Sequence, residues 1–348
     1  MYLGSDNCGP AHPDIMQALV EANTGYQASY GDDTIMAEAR DRIRAVFEAP
    51  RAAVYLVATG TAANALALST LTHPWQTIFC APKAHIQMDE CHAPEFFTGG
   101  AKLSLVGSAD KMTADALSGR IQNWTAGDVH VSQRGPVSIT QATEHGQVYT
   151  LDELAALTDV ARQNRLPVHL DGARFANAIA ALGCTPAQMT WTLGVDAVSF
   201  GGTKNGCLGV EAVVFFNPDH AWEFELRRKR AAHLFSKHRF LSAQMLAYLK
   251  NDLWLSTARA ANAACTRLTN GLRQIPGCTF LEEPQVNMIF ARLPRATHQK
   301  LQAAGAVYGL YEGPLAEGDP DEPLLMRLVT DWSITDAQID AFLAAAQG

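Results

Sequence analysis

Three groups of residues in this 348-residue chain have the types and positions to do chemistry. Lys204 stands among small residues in GGTKNG, and a lysine that is partly removed from water can attack a carbonyl group and form a Schiff base. Asp171 follows the apolar run PVHL. Gly60 and Thr61 follow AAVYLVA, where a helix start would offer free N–H groups to an anion. Each feature alone also fits an ordinary role: an exposed loop lysine, a capping carboxylate and a plain helix start.

The elements that would position these residues alternate between strand and helix. Short apolar runs predict strands at 52–58, 77–81, 102–106, 128–132, 167–171 and 196–200, and a further apolar run covers 208–216. Helical patterns separate several of them, at 61–71, 116–124, 151–164 and 175–183. This alternation is typical of an α/β layer with a mainly parallel sheet, in which ligands bind beyond the carboxyl ends of the strands. We therefore expect Lys204, Asp171 and Gly60 to lie at one edge of the sheet.

The last third of the chain has a different pattern. A long helical stretch over 221–254, broken once, follows the sheet. Beyond it, a helix around 256–274, strands near 279–281, 287–293 and 325–329, and a terminal helix from Thr335 indicate a smaller α+β domain. We predict an N-terminal segment at 1–11 that contributes to the site, a large domain at 12–248 and a small domain at 249–348.

Composition narrows the class of protein. The formal charge of −8 is not arranged as a basic stripe, which argues against a nucleic-acid partner. The N-terminus lacks a leader pattern and no apolar run is long enough to span a membrane, so we expect a cytoplasmic protein. Seven cysteines without a C-x-x-C pair indicate neither a disulfide framework nor a zinc site, and no other ligand cluster indicates a metal. A nicotinamide-binding protein is disfavoured because no G-x-G-x-x-G follows an early strand.

Lys204, Asp171 and the helix start at Gly60 and Thr61 would together suit a single cofactor. An amine, a carboxylate and an anion-binding helix start would match an aldehyde, a basic ring nitrogen and a phosphate. Pyridoxal phosphate carries all three groups. It is therefore the cofactor that the residues predict.

Seven motifs then show a resemblance to a known family. They are SDN at 5–7, YGDD at 30–33, ATGTAAN at 58–64, AHIQMDE at 84–90, HLDGARF at 169–175, SFGGTKNG at 199–206 and MRLVTDW at 326–332. In order and spacing the chain resembles the threonine aldolase and β-eliminating lyase family of fold-type-I pyridoxal phosphate enzymes, and GGTKNG is most similar to the low-specificity L-threonine aldolase branch. The resemblance implies a large domain with a seven-stranded, mainly parallel sheet and a smaller C-terminal domain.

The resemblance also implies an activity. Members of that branch cleave L-threonine, L-allo-threonine or related β-hydroxy amino acids, a class that includes phenylserine, to glycine and an aldehyde. The resemblance also implies a homo-oligomer, which is at least a dimer and, as in other members of the family, is expected to be a homotetramer. The sequence leaves open which substrate the protein prefers and how strictly it distinguishes the two configurations at the β-carbon.

Roles in cofactor binding follow position by position. Lys204 resembles the lysine that holds the cofactor covalently, and Asp171 the acid that keeps the pyridine nitrogen protonated. Gly60 and Thr61 match the phosphate-binding turn. His85 matches the imidazole that stacks over the cofactor ring, and it is the expected base, acting through a water.

Further roles concern the substrate and the subunit interface. Arg174 resembles the arginine beside the cofactor's phenolic oxygen and the substrate carboxylate. Ser5 and Arg327 match residues that hold that carboxylate. Arg239 resembles an arginine that reaches a phosphate, often that of a neighbouring subunit, and Tyr30 is assigned to the substrate site near a subunit interface.

Some assignments stay open at this stage. Glu144 and His145 in QATEHG stand where several relatives have an asparagine-threonine-histidine run, so a proton-relay role there is in doubt. The basic run at 227–230 contributes to phosphate binding or is only a solvated helix face. The same residues also suit β-elimination, transamination or racemisation, or a catalytically silent regulatory protein that binds the cofactor.

Overall fold

Strands and helices alternate along most of the chain in the computed structural model, which describes residues 1–348. There are fourteen α-helices: α1 (Pro13–Ala22), α2 (Thr34–Val46), α3 (Gly60–Leu71), α4 (His85–Met88), α5 (Ala93–Thr98), α6 (Ala114–Gln122), α7 (Leu151–Gln163), α8 (Phe175–Leu182), α9 (Pro186–Met189), α10 (Ala221–Arg230), α11 (Arg239–Leu249), α12 (Leu253–Leu272), α13 (Arg295–Ala303) and α14 (Asp336–Gln347). There are eleven strands: β1 (Ala53–Val57), β2 (Gln76–Cys80), β3 (Lys102–Leu105), β4 (Gln133–Thr140), β5 (Val168–Gly172), β6 (Ala197–Gly201), β7 (Glu211–Phe215), β8 (Thr279–Phe280), β9 (Met288–Pro294), β10 (Gly309–Leu310) and β11 (Pro323–Val329).

A seven-stranded sheet forms the centre of the molecule. Its strand order is β1-β7-β6-β5-β4-β2-β3, and only β7 runs antiparallel to its neighbours. Every residue of β1, β5, β6 and β7 is buried, as expected for mainly apolar strands that helices cover on both faces. The predicted α/β architecture with a mainly parallel, seven-stranded sheet is therefore confirmed.

A second sheet has four antiparallel strands in the order β10-β11-β9-β8 and its own core of fifteen buried residues. Helix α12 joins the two cores. Its first turns place Trp254 and Ala258 in the core of the large sheet, and its last turns place Leu268 and Leu272 in the core of the small one. Because one helix serves both cores, the boundary at 248/249 stays a prediction.

The strand predicted at 128–132 is wrong. Asp128 closes a turn there, since its carboxylate accepts the N–H of His130 at 2.9 Å and its carbonyl accepts the Gln133 side-chain amide at 2.9 Å. Val129 is exposed. The strand begins at Gln133 instead and contains Pro136, which ordinarily argues against a strand because it lacks an N–H.

The helical stretch at 221–254 is interrupted twice rather than once. A first break separates α10 from α11 at 231–238, and Ala232 there has a positive φ of 62°. A second break at Asn251 and Asp252, both with positive φ, ends α11 and starts α12, which runs directly into the helix predicted at 256–274. None of the helices combines the length and apolar character that a membrane span needs.

The N-terminal segment ties the two sheets together. Leu3 donates its N–H to the carbonyl of Val307 and accepts the N–H of Val329, both at 2.8 Å, and so joins the small sheet. Asp6 then forms a buried ion pair with Arg174, which directly precedes α8 beside the large sheet. Anchors on both sides hold this segment at the carboxyl edge of the large sheet.

A cluster of aromatic rings packs under the carboxyl end of β6. Phe200 lies 5.4 to 5.9 Å, between ring centroids, from Phe47, Phe175, Tyr248 and Trp254. Phe200→Ala removes one ring from the centre of this cluster, and we expect a loss of about 3–5 kcal/mol in the free energy of unfolding.

Urea denaturation followed by circular dichroism measures this loss. The matched control is Phe96→Ala, because Phe96 is 78% exposed and its removal should change the free energy of unfolding by less than about 0.5 kcal/mol. Similar losses for both variants would contradict the central place of Phe200.

The Asp6–Arg174 pair predicts a second stability effect. Asp6→Asn keeps the shape of the side chain but leaves the buried Arg174 charge unpaired, which typically costs about 3–5 kcal/mol. Asp159→Asn removes an exposed partner of Arg162 and should cost less than about 1 kcal/mol. Unfolding midpoints at neutral pH compare the two pairs, and equal midpoints would show that the buried pair does not hold the segment.

Candidate active site

A rigid turn after β6 carries Lys204. The residues Thr203–Asn205 form one turn of 3-10 helix, and the following Gly206 has a φ of 107°, a conformation that favours glycine. Asn205 fastens the turn from below, since its side-chain amide donates to Tyr248 Oη at 2.7 Å and to the carbonyl of Trp254 at 2.8 Å. The lysine therefore projects from a backbone that is fixed on its inner side.

Helix α3 begins at the same edge of the sheet. Thr59 caps it by accepting the N–H of Ala62 at 3.2 Å on its hydroxyl and the N–H of Ala63 at 3.0 Å on its carbonyl. The cap leaves the first N–H groups, those of Gly60 and Thr61, at the positive end of a twelve-residue helix. A Cβ placed on Gly60 would meet no atom within 4 Å, so the space beside this helix start is open.

Two neighbouring cavities occupy this edge. The smaller, about 250 Å³, is lined by Gly60, Thr61 and Asp171 among others, and the larger, about 660 Å³, by Ser5, Arg174 and Arg327 among others. Asn7, His85 and Lys204 line both cavities. The predicted residues Gly60, Thr61 and Asp171 thus face one space, and Ser5, Arg174 and Arg327 face the adjoining one. Lys204 lies between the two spaces.

A chain of hydrogen bonds connects Asp171 to His85. The Asn64 side-chain amide donates to Asp171 Oδ2 at 2.9 Å and to Glu90 Oε1 at 2.8 Å. Glu90 Oε1 also lies 2.7 Å from His85 Nδ1. Asp171 and Glu90 are almost fully buried, whereas His85 remains partly open to the cavities. Two buried carboxylates are therefore bridged by one amide.

These contacts change the proton affinity of the imidazole. The hydrogen bond that His85 donates to Glu90 raises the pKa of His85 above its ordinary value; burial opposes this shift, and the negative charges of Asp171 and Glu144 add to it. For the Glu90 carboxyl, burial raises the pKa, and the hydrogen bonds from His85 and Asn64 oppose that shift. The geometry thus favours a histidine that keeps its proton to a higher pH than usual.

Arg174 is already engaged by a carboxylate of the chain itself. Its Nε and Nη2 donate to the two oxygens of Asp6 at 2.7 and 2.9 Å, and Asn287 donates to Asp6 Oδ2 at 3.0 Å. Burial alone would raise the pKa of Asp6, but the positive charges of Arg174 and Lys204 and these hydrogen bonds hold it below the ordinary value. Of the three guanidinium nitrogens of Arg174, only Nη1 makes no hydrogen bond to Asp6.

Basic, acidic and aromatic side chains together line the larger cavity. Arg327 on β11 lines this cavity and donates to Met288 Sδ at 3.7 Å. Ser5 of the N-terminal segment lines the same cavity. Glu144 and His145 both line this cavity, and the His145 ring packs against Phe290 with centroids 4.9 Å apart. The departure from the family pattern at QATEHG therefore lies within the site.

Two predicted site residues lie outside both cavities. Arg239 at the start of α11 donates to the carbonyl of Gly25 at 2.9 Å, and Tyr30, 46% exposed, packs its ring 5.1 Å from Lys229 Nζ. In the basic run at 227–230, Arg227 and Arg228 pair with glutamates of the same helix, and Arg228 is buried. Within one chain, these residues reach neither cavity.

Four site residues were not identified from the sequence. Asn64, Glu90 and Asp6 fall inside the quoted motifs ATGTAAN, AHIQMDE and SDN, but nothing in their spacing indicates that they contact Asp171, His85 and Arg174. Glu211, which lines the smaller cavity, looks like an ordinary first residue of a strand. Such contacts join residues 5 to 168 positions apart in the chain, so only the fold reveals them.

Comparison with known proteins gives the family. The sequence model of the family described as beta-eliminating lyase matches residues 3–295. A low specificity L-threonine aldolase of Pseudomonas aeruginosa is 40% identical over 302 residues, which cover 86% of each chain. Another from a Pseudomonas species is 38% identical over 94% of this chain and 95% of that protein.

A solved structure agrees at the level of the fold. A Leishmania major threonine aldolase superposes with a TM-score of 0.90 over 99% of this chain and 98% of that one, at 24% identity. The matched region spans both sheets. With a family match over most of the sequence and relatives near 40% identity, the chain belongs to the beta-eliminating lyase family and is a lyase.

Proposed function

We propose that this protein uses pyridoxal phosphate to cleave L-threonine, L-allo-threonine or a related β-hydroxy amino acid to glycine and an aldehyde. The observation that carries the proposal is the place of Lys204 between two cavities. One holds a buried acid and an open helix start, and the other holds an arginine and a serine. The relatives named low specificity L-threonine aldolase support the choice of reaction.

The smaller cavity fits the cofactor. Lys204 would hold its aldehyde carbon, and Asp171 would hold its ring nitrogen in the protonated form. Gly60 and Thr61 would bind its phosphate through the open helix start, and His85 would cover its ring. When bound, pyridoxal phosphate supplies an electron sink for the bonds at the amino acid's α-carbon.

Arg327 and Ser5 would hold the substrate carboxylate. A planar guanidinium can donate two parallel hydrogen bonds to a carboxylate, and the one side-chain hydrogen bond of Arg327 within the chain is its long contact with Met288 Sδ. Arg174 was expected to share this role, but its Nε–Nη2 edge is bonded to Asp6, so we assign only Nη1 to the ligand side. Fixing the carboxylate sets which bond of the α-carbon faces the electron sink.

His85 is the candidate base for the β-hydroxyl proton, acting through a water. Its ring lines both cavities, and Glu90 holds the Nδ1 side, which leaves Nε2 for the substrate side. A base of this kind typically contributes about 10²–10⁴-fold to the rate. Asn64 and Glu90 act as its positioning residues.

Tyr30 and Arg239 suit a site shared between subunits. Both lie away from the cavities of their own chain and on a partly exposed surface. We propose that the protein is a homo-oligomer, at least a dimer, in which these residues approach the phosphate and substrate of a neighbouring subunit. A tetramer would follow the same family analogy.

Lys204→Ala tests the central assignment. We expect the variant to lose the cofactor's visible absorbance band and to reduce cleavage to background, because no other amine projects between the cavities. The control is Lys83→Ala, which removes a lysine that lines only the larger cavity. Retention of both signals in Lys204→Ala would remove the proposed role of the lysine.

A panel of L-threonine, L-allo-threonine, phenylserine and L-serine, assayed for aldehyde, glycine and pyruvate, decides the reaction type. Aldehyde with equal glycine supports cleavage. Pyruvate from serine would instead show β-elimination, and neither product from any substrate would support a silent cofactor-binding protein.

Glu90→Gln should change the pH profile. The base must lose its proton to act, so a raised pKa of His85 places the acidic limb of kcat/KM at a higher pH than usual. Replacing the Glu90 carboxylate removes the largest cause of that shift, and we expect the limb to move to lower pH.

The adjacent exposed Asp89 offers the matched control, since Asp89→Asn removes a carboxylate that does not contact the imidazole. Profiles of kcat/KM between pH 5 and 9 compare the three proteins. A limb that stays in place in Glu90→Gln would show that another group is the base.

A further inference from the structure

The smaller cavity contains a second buried carboxylate that the reaction leaves without a role. Glu211 begins β7, lies opposite Val57 of β1 and Gly201 of β6, and is 6% exposed. In the proposed function Asp171 pairs with the cofactor's ring nitrogen, whereas no part of the cofactor is assigned to Glu211. Glu211 lines the same cavity as the α3 start that would take the phosphate.

The turn that carries Lys204 holds Glu211 in place. The N–H of Gly202 donates to Glu211 Oε2 at 2.8 Å, and the hydroxyl of the next residue, Thr203, accepts the N–H of Val210 at 3.2 Å. Burial raises the pKa of Glu211 to about 7, against the lowering effect of hydrogen bonds from Thr203 and Gly202 and of the Lys204 charge. Its raised pKa means that this carboxyl binds a proton more readily than an exposed glutamate does.

A phosphate at the start of α3 would lie in the same cavity as this carboxyl. The groups that favour an anion there are the N–H groups at the start of α3 and the Lys204 side chain, and no arginine lines the cavity. Two negative groups in one enclosed space oppose each other, and the carboxyl can relieve this by binding a proton from solvent.

Other titratable groups near Glu211 do not replace it in this role. Burial raises the pKa values of Cys207 and Tyr248 well above their ordinary range, so both stay neutral. Lys204, His85 and Asp171 also line the cavity. Lys204 would bond to the aldehyde of pyridoxal phosphate and of pyridoxal alike, so a comparison of the two ligands separates its effect on Glu211 from that of the phosphate.

We propose that Glu211 takes up a proton when a phosphate group binds at the start of α3. The Glu211 carboxyl is then neutral while the cofactor is bound, and the site binds the phosphate less tightly as the pH rises. The proposal rests on the proposed function, since it takes pyridoxal phosphate as the ligand. It makes Glu211 a positioning residue for the phosphate end of the cofactor. The O–H bond forms on the carboxylate, and the proton comes from the buffer.

Isothermal titration of the full-length protein, freed of cofactor, tests the proposal. Pyridoxal phosphate is titrated at pH 8 in two buffers of different ionisation enthalpy, which measures the protons taken up on binding. We expect the native protein to take up close to one proton more than Glu211→Gln, whose amide matches the neutral acid in shape. Between pH 7 and 9 the Kd of the native protein should weaken, relative to the variant, by up to about tenfold per pH unit.

Two controls identify the source of the proton. Asp89→Asn removes an exposed carboxylate that lines the larger cavity and should take up as many protons as the native protein. Pyridoxal, which lacks the phosphate, should give a smaller difference in proton uptake between the native protein and Glu211→Gln than pyridoxal phosphate gives.

The outcomes separate this inference from the function itself. Equal uptake of protons on pyridoxal phosphate binding in the native protein and in Glu211→Gln overturns the role of Glu211 and leaves the proposed function intact. Absence of any pyridoxal phosphate binding to the native protein contradicts the proposed function instead. Should Glu211→Gln fail to fold by circular dichroism, the native protein alone decides, because equal uptake with pyridoxal phosphate and pyridoxal would also overturn the proposal.

Discussion

Charges removed from water at the carboxyl edge of the large sheet impose the main constraint on this site. Asp6, Glu90, Asp171 and Glu211 are all buried there, and each needs a partner because an unpaired buried charge is costly. The chain provides those partners through Arg174, Asn64, the His85 ring and the N–H of Gly202. The positions of the N-terminal segment, α3 and the Lys204 turn follow from these pairings.

The same pairings link parts of the site that do different work. Asn64 is a single amide between two carboxylates, so the acid placed for the ring nitrogen and the histidine placed for the substrate share one hydrogen-bonded network. Asn64 also belongs to α3, whose start would bind the phosphate. One residue of α3 therefore contacts both buried carboxylates.

Particular elements show what pattern alone can predict. The strands at 53–57, 168–172 and 197–201 were recognisable because buried strands of such sheets are continuous apolar runs, and the chemical residues lie at or just beyond their carboxyl ends. The strand at 133–140 was missed because Pro136 and polar residues interrupt its pattern, while the neighbouring run at 128–132 alternates correctly yet forms a turn around Asp128.

The sequence by itself determined the α/β class, the family resemblance and the placement of Lys204, Asp171 and Gly60 after strands, since these depend on local order along the chain. Only the tertiary structure decided that one edge of the Arg174 guanidinium bonds to Asp6, that Glu90 contacts His85 and that Glu211 lines the same cavity as the start of α3. Those facts depend on which side chains meet after burial, and residues up to 168 positions apart have no local pattern that records their contact.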